Sequence, residues 1–171
     1  MFDSKRNNLS MKKILLSTLL FIISFSLYAS DISKEYRVAF AQDSLGDEYR
    51  LSQVKELESA LLKYPDIEFI YSDGGSSLSM QVMQVEDFIM QGVDILILSA
   101  FDTNVSSNII SQAYDFEIPV ILINQELNSS QFTTYIDTSD QNITRDVNQT
   151  LEAIFEILSV KDYEKGESNE H

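Results

Sequence analysis

The sequence predicts an α/β fold: a doubly wound parallel sheet of five strands with helices on both faces. Three observations carry that prediction. Apolar runs alternate with helical patterns from Glu35 onward. Two runs, at 93–99 and 119–123, are apolar at nearly every position, as in strands buried on both faces of a parallel sheet. The connections are short, which implies right-handed crossovers.

The elements follow in order. YRVAFAQ at 36–42 reads as the first strand. Positions 47–63 read as a helix with Leu51, Val54, Leu57 and Leu61 near one face, stopped by Pro65. IEFIY at 67–71 is the second strand, and SDGGSS is a turn supplying serine caps. The next helix spans 77–91, with Leu78, Val82, Val85 and Ile89 at core spacing and Gly92 at its end. Met80, Met83 and Met90 on this helix read as core filling. Strand 93–99, helix 103–116, strand 119–123, strand 133–137 and helix 142–158 complete the pattern. Residues 160–171 read as an acidic, irregular tail.

Composition narrows the function. The chain has 171 residues, 44% hydrophobic and 23% charged, enough for one core. It carries 27 acidic against 12 basic residues, a surface that repels nucleic acid and anionic membrane. It has no cysteine, and its single histidine is the terminal His171, which removes thiolate chemistry, Ser-His-Asp triads and histidine-based metal sites. SDGGSS lacks the spacing of a phosphate loop. DTSDQN at 137–142 lacks the glycine and glutamate of a calcium loop. No cofactor is expected.

Four basic residues, Lys5, Arg6, Lys12 and Lys13, precede ILLSTLLFIISFSLYA at 14–29. A basic region, an apolar stretch too short to span a membrane comfortably and a small residue at its end predict a signal peptide over 1–29 and export to the periplasm. The expected domain is 30–159.

In a doubly wound sheet, ligands bind beyond the carboxyl ends of the strands. Gln42, Asp43, Asp73, Ser99, Asp102, Asn124, Gln125 and Ser139 fall there. A strand-end carboxylate pair such as Asp43 with Asp102 could in principle cleave a glycoside, but binding is the commoner use in this architecture. A response-regulator reading lacks the lysine expected after the fifth strand.

The stretch QVEDFIMQGVDILILSAFDTNVSSNIISQAYDFEIPVILINQ resembles the type I periplasmic sugar-binding proteins, relatives of the lactose-repressor-type regulators. The likeness rests on Gln91-Gly92-Val93-Asp94, on the apolar strand ending near Asp102, and on Ile118-Pro119-Val120. Tyr49-Arg50 sits where one branch of that family carries Trp-Arg. The resemblance implies the first lobe of a periplasmic-binding-protein-like fold: a non-enzymatic receptor for a sugar or similar small polar ligand. Its implied partner is a membrane ABC transporter or, alternatively, a sensor kinase or chemoreceptor. The implied ligand-binding residues are Asp43, Tyr49, Arg50, Asp102, Asn124 and Gln125, with Tyr49 stacking on a sugar face and the charged groups bonding hydroxyls. Asp43, from the first loop, is the weaker candidate, and the other five have a plainer alternative: a helix-start aromatic for Tyr49, a surface ion pair for Arg50, a helix cap for Asp102, and loop polar groups for Asn124 and Gln125.

Two departures stand out. Asn124-Gln125 replaces the Asp-Arg frequent in the family, and Asp137-Thr138-Ser139-Asp140 replaces a G-T-D-N-like run. The family has two lobes, and this sequence accounts for one. A truncated gene product, a homodimer of lobes and a lobe that docks on another protein are the three explanations.

Overall fold

A computed structural model describes residues 35–100, 103–124 and 131–168. Five strands, β1 (Tyr36–Gln42), β2 (Ile67–Asp73), β3 (Ile95–Ser99), β4 (Val120–Ile123) and β5 (Thr134–Ile136), form one sheet in the order β2-β1-β3-β4-β5. Every pairing is parallel, with Val38 opposite both Phe69 and Ile95, and Ile97 opposite Ile121. Four helices, α1 (Glu48–Leu61), α2 (Leu78–Met90), α3 (Thr103–Asp115) and α4 (Ile143–Ser168), connect or follow the strands.

Alternation along the strands divides the core in two. Ala39, Ala41, Leu96, Leu98, Val120 and Leu122 face α2 and α3, meeting Val85, Phe88, Ile89, Ile109, Ile110 and Ala113. Their neighbours Val38, Phe40, Ile95, Ile97, Ile121 and Ile123 face α1 and α4, meeting Val54, Leu57, Leu61, Val147, Ile154 and Leu158. Strands β1, β3 and β4 are therefore covered on both faces, which is why their sequences hardly alternate. Truncating one of these buried leucines or isoleucines to alanine costs about 2–5 kcal/mol.

The strand order reverses at β1, whose successors β2 and β3 lie on opposite sides of it. The crevice beyond the ends of β1 and β3 is thus the switch point where doubly wound sheets place ligands. The loops there are stitched together. Gly74 N–H donates to the Gln42 carbonyl at 2.8 Å, and Ser76 N–H donates to the Asp43 carbonyl at 2.9 Å. A Cβ on Gly74 would sit 2.8 Å from the Asp43 carbonyl oxygen, so glycine is the residue that allows this approach.

Four sequence expectations need correction. Ser77 stands at the N-cap of α2 but makes no side-chain capping bond. Leu51 is 41% exposed, and Gln53 takes a buried position on α1 instead. Met80, Met83 and Met90 lie on the outer side of α2, while Gln81, Val85, Phe88 and Ile89 are its buried residues. Helix α4 does not stop at 158 in an irregular tail but runs to Ser168. The sequence there is polar, yet Lys161 pairs with Asp94 at 3.3 Å and the Tyr36 hydroxyl bonds Asp162, so contacts near the starts of β1 and β3 hold the first of the added turns.

Candidate functional site

Side chains from the carboxyl ends of β1, β3 and β4, from the loop after β5, and from the first turns of α1 and α4 converge in one polar network. Asp43 follows β1 and is 8% exposed. Its Oδ1 accepts from Ser99 Oγ at 3.0 Å and pairs with Arg50 Nε at 3.1 Å. Asn124 Nδ2 donates to Ser99 Oγ at 2.5 Å, and Asn124 Oδ1 accepts from Thr138 Oγ1. Asn124 holds φ at 70°, a left-handed conformation that asparagine tolerates better than most residues and that follows directly on the strand end.

The network continues through α1. Gln53 Nε2 reaches the Tyr49 hydroxyl at 2.9 Å and lies 3.4 Å from Asn124 Oδ1. The Tyr49 hydroxyl donates to Asp146 Oδ2 at 2.6 Å. Asp146 is 2% exposed, lies in the first turn of α4, and pairs with Arg145 Nη2 at 2.8 Å. A buried carboxylate is tolerable here because it is hydrogen-bonded, paired and placed at the positive end of a helix. Arg145 is fully engaged, with Asp140 at 2.5 Å and the Asp137 carbonyl at 2.7 Å as further partners.

These arrangements shift acidities. Burial pushes the Asp43 carboxyl above its ordinary value, against the pull of the Arg50 guanidinium and the Ser99 hydroxyl. Burial, followed by the bond to Asp146, pushes the Tyr49 phenol up to about 12. Tyr49 is thus a neutral donor under all ordinary conditions. The Ser139 N–H bond holds the Asp137 carboxyl below its usual range.

Beside the network opens a cleft of about 500 Å³, lined by Asp47, Glu48, Tyr49, Arg50, Asn124, Thr138, Ser139 and Gln141. Asp47 caps α1 by accepting from Arg50 N–H at 2.9 Å, and also pairs with Arg50 Nη1 at 2.8 Å. The cleft is therefore lined by one guanidinium, two carboxylates, a tyrosine, two amides and two hydroxyls. Such a wall can hydrogen-bond a neutral, hydroxyl-rich molecule in both directions while an aromatic ring covers an apolar face. Among the described residues no cluster of three or more His, Cys, Asp or Glu side chains is placed to hold a metal.

Of the sequence-predicted ligand residues, Asp43, Tyr49, Arg50 and Asn124 are brought together at this rim. Asp102 and Gln125 lie outside the described residues. Asp73 serves a turn instead, accepting from Leu45 N–H at 3.0 Å and Gly75 N–H at 2.8 Å. Gln53, Thr138 and Asp146 were not singled out for the site. One local signal was available for Gln53, which stands four residues after Tyr49 and so shares its helix face.

Residues 38–152, more than half of the chain, match the periplasmic binding protein domain family, and the chain belongs to that family. It is similar to the ribose import binding protein RbsB of Bacillus subtilis, at 26% identity over 103 residues, or 60% of this chain and 33% of that protein. Among solved structures, the fructose-binding periplasmic domain of a hybrid two-component system aligns at 29% identity and TM-score 0.58, covering 71% of this chain and 40% of that one. An ABC transporter solute-binding protein from Bacillus halodurans C-125 with bound myo-inositol aligns at 29% identity and TM-score 0.54, covering 63% and 37%. The chain spans about a third of the length of the curated relative it matches. The fold is accordingly one lobe of a periplasmic-binding-protein-like architecture.

Proposed function

We propose that this chain is the binding lobe of an exported, non-enzymatic receptor for a small neutral polyol, a sugar or a cyclitol, that hands its ligand to an ABC transporter. The observation that carries the reading is the cleft between the start of α1, the end of β4 and the loop after β5, where Tyr49, Arg50, Asn124 and Thr138 meet. Its chemistry suits hydroxyl recognition, and relatives of similar fold are named for ribose import and for bound myo-inositol. Asp102 and Gln125 belong to the same proposal, by their place after β3 and β4. Export through a signal peptide at 1–29 is part of it too. The described residues include no helix long and apolar enough to cross a membrane.

One lobe offers one wall of a cleft, whereas tight small-molecule sites bury most of the ligand. We therefore expect weak binding by the lobe alone, strengthened where a second lobe, a second copy or a membrane partner covers the open side. Calorimetry and thermal shift with ribose, fructose and myo-inositol test the reading. A ligand at about 100 times its dissociation constant adds about 2.7 kcal/mol of stability. Silence from all three at millimolar concentration overturns the assignment.

A second reading is favoured by the likeness to the fructose-binding domain of a hybrid two-component system. In it the lobe is the input of a membrane sensor. Reconstitution separates the two: a transporter is stimulated in substrate uptake, a sensor in phosphorylation.

A further inference from the structure

The chain has five methionines and no cysteine, so thioethers are its entire sulfur chemistry. Met80, Met83 and Met90, the three within the described residues, all lie on α2. Their spacings of three and seven residues align them along one stripe of that helix. The stripe faces water: Met80 is 46%, Met83 60% and Met90 77% exposed. Methionine ordinarily fills cores. Here neither apolar core of the described residues contains one.

We propose that this outer face of α2 is a sulfoxidation site for peroxide-class oxidants. A thioether sulfur attacks one oxygen of hydrogen peroxide. The O–O bond breaks as the S–O bond forms, the sulfur gives up two electrons, and the second oxygen leaves as water after proton transfer. Sulfoxidation makes an apolar side chain polar, which disrupts a core but is harmless where water already surrounds the group. The stripe also lies on the solvent side of α2, which covers the opposite face of the sheet from α1, the helix that supplies Tyr49 and Arg50 to the cleft. The stripe therefore absorbs oxidant without loss of fold or ligand site, and the product is of the kind that reductases reverse.

Timed exposure of the folded chain to hydrogen peroxide, followed by peptide mass spectrometry, tests this. Trypsin has no site between Lys63 and Arg145, but cleavage after Glu86 separates Met90 from Met80 and Met83. Met90 should gain one oxygen first, Met83 next and Met80 last, with Met90 within about twofold of its rate in the urea-unfolded chain, since susceptibility follows exposure. Circular dichroism and melting temperature should stay unchanged at full conversion. The triple variant Met80→Leu, Met83→Leu, Met90→Leu should fold alike and lose all uptake in this segment. Negligible uptake in the folded chain, a reversed order, or unfolding in step with oxidation would each overturn the proposal.

Discussion

The Ser99 hydroxyl donates to Asp43 Oδ1 at 3.0 Å, bridging the ends of β3 and β1 at the point where the strand order reverses. That bond extends the tie between the two strands beyond their last backbone pairing, Ala41 with Leu98, where they frame the crevice. Ser99 also accepts from Asn124 Nδ2, which carries the link to β4. Replacing Ser99 by alanine takes one hydroxyl donor from the buried Asp43 carboxylate and leaves the Asn124 amide without the acceptor it uses here. We expect Ser99→Ala to lose about 1–3 kcal/mol, the cost of stranding buried polar groups, measured by urea unfolding at neutral pH. A loss below experimental error would mean that water replaces the hydroxyl and that the bridge is not structural.

The acidity of Asp43 makes an opposite and pH-dependent prediction for its own substitution. Burial raises its carboxyl above the ordinary 3.8. The native state then binds the proton more tightly than the unfolded chain, so this group's contribution to stability falls as pH rises through the window from 3.8 to the raised value. At pH 7 the charged, buried form is a burden that Asp43→Asn removes. Urea unfolding at successive pH values should show the variant at its best relative to wild type at neutral pH. The wild type should regain ground as pH falls through that window. Ground lost on acidification would show that Arg50, not burial, governs the group.

Tyr49 is tied to Asp146 at 2.6 Å, and this bond links α1 to α4 across the rim. Tyr49→Phe removes the bond and leaves Asp146, at 2% exposure, with Arg145 as its charge partner. The expected loss is about 1.5–3 kcal/mol, the range for hydrogen bonds to charged groups. Ultraviolet titration supplies an independent check. The difference spectrum between wild type and Tyr49→Phe should report a phenol ionising at about 12 rather than at the ordinary 10. A missing tyrosine that titrates at 10 would mean an unburied ring and a different cleft wall.

How much of this was legible in the sequence depends on distance along the chain. The strands were plain because β1, β3 and β4 are covered on both faces, and continuous apolar runs such as ILILS say so directly. Asp43, Ser99 and Asn124 could be placed because each closes a strand. Thr138 and Asp146 could not, since their links to Asn124 and Tyr49 cross 14 and 97 residues of chain, whereas Gln53 carried only the weak signal of sharing a helix face with Tyr49. The α2 stripe misled for a related reason. Gln81 reads as a surface residue but is buried, its amide donating to the Ser99 carbonyl at 2.7 Å, and the methionines expected inside are turned outward. The extension of α4 was hidden because VKDYEKGES carries no apolar period, and its supports are Asp94 and Tyr36.

The last prediction concerns ligand charge and rests on the proposed polyol site. Arg50 is the cationic group lining the cleft, and it is already paired with Asp43 at 3.1 Å and Asp47 at 2.8 Å, with Glu48 also in the lining. A ligand carboxylate would compete with two protein carboxylates for one guanidinium, and like charges about 4 Å apart near a protein surface repel by about 1–4 kcal/mol. A sugar acid should therefore bind at least about tenfold more weakly than its parent sugar, a difference of about 1.4 kcal/mol. Asp47→Asn should narrow that gap by freeing guanidinium capacity, and added salt should narrow it further by screening. Arg50→Ala should weaken the neutral sugar itself, because the lost donors are charge-assisted. Isothermal titration with a matched pair, glucose and glucuronate for instance, reads all three effects, and tighter binding of the acid would show that Arg50 acts as an open anion receptor instead.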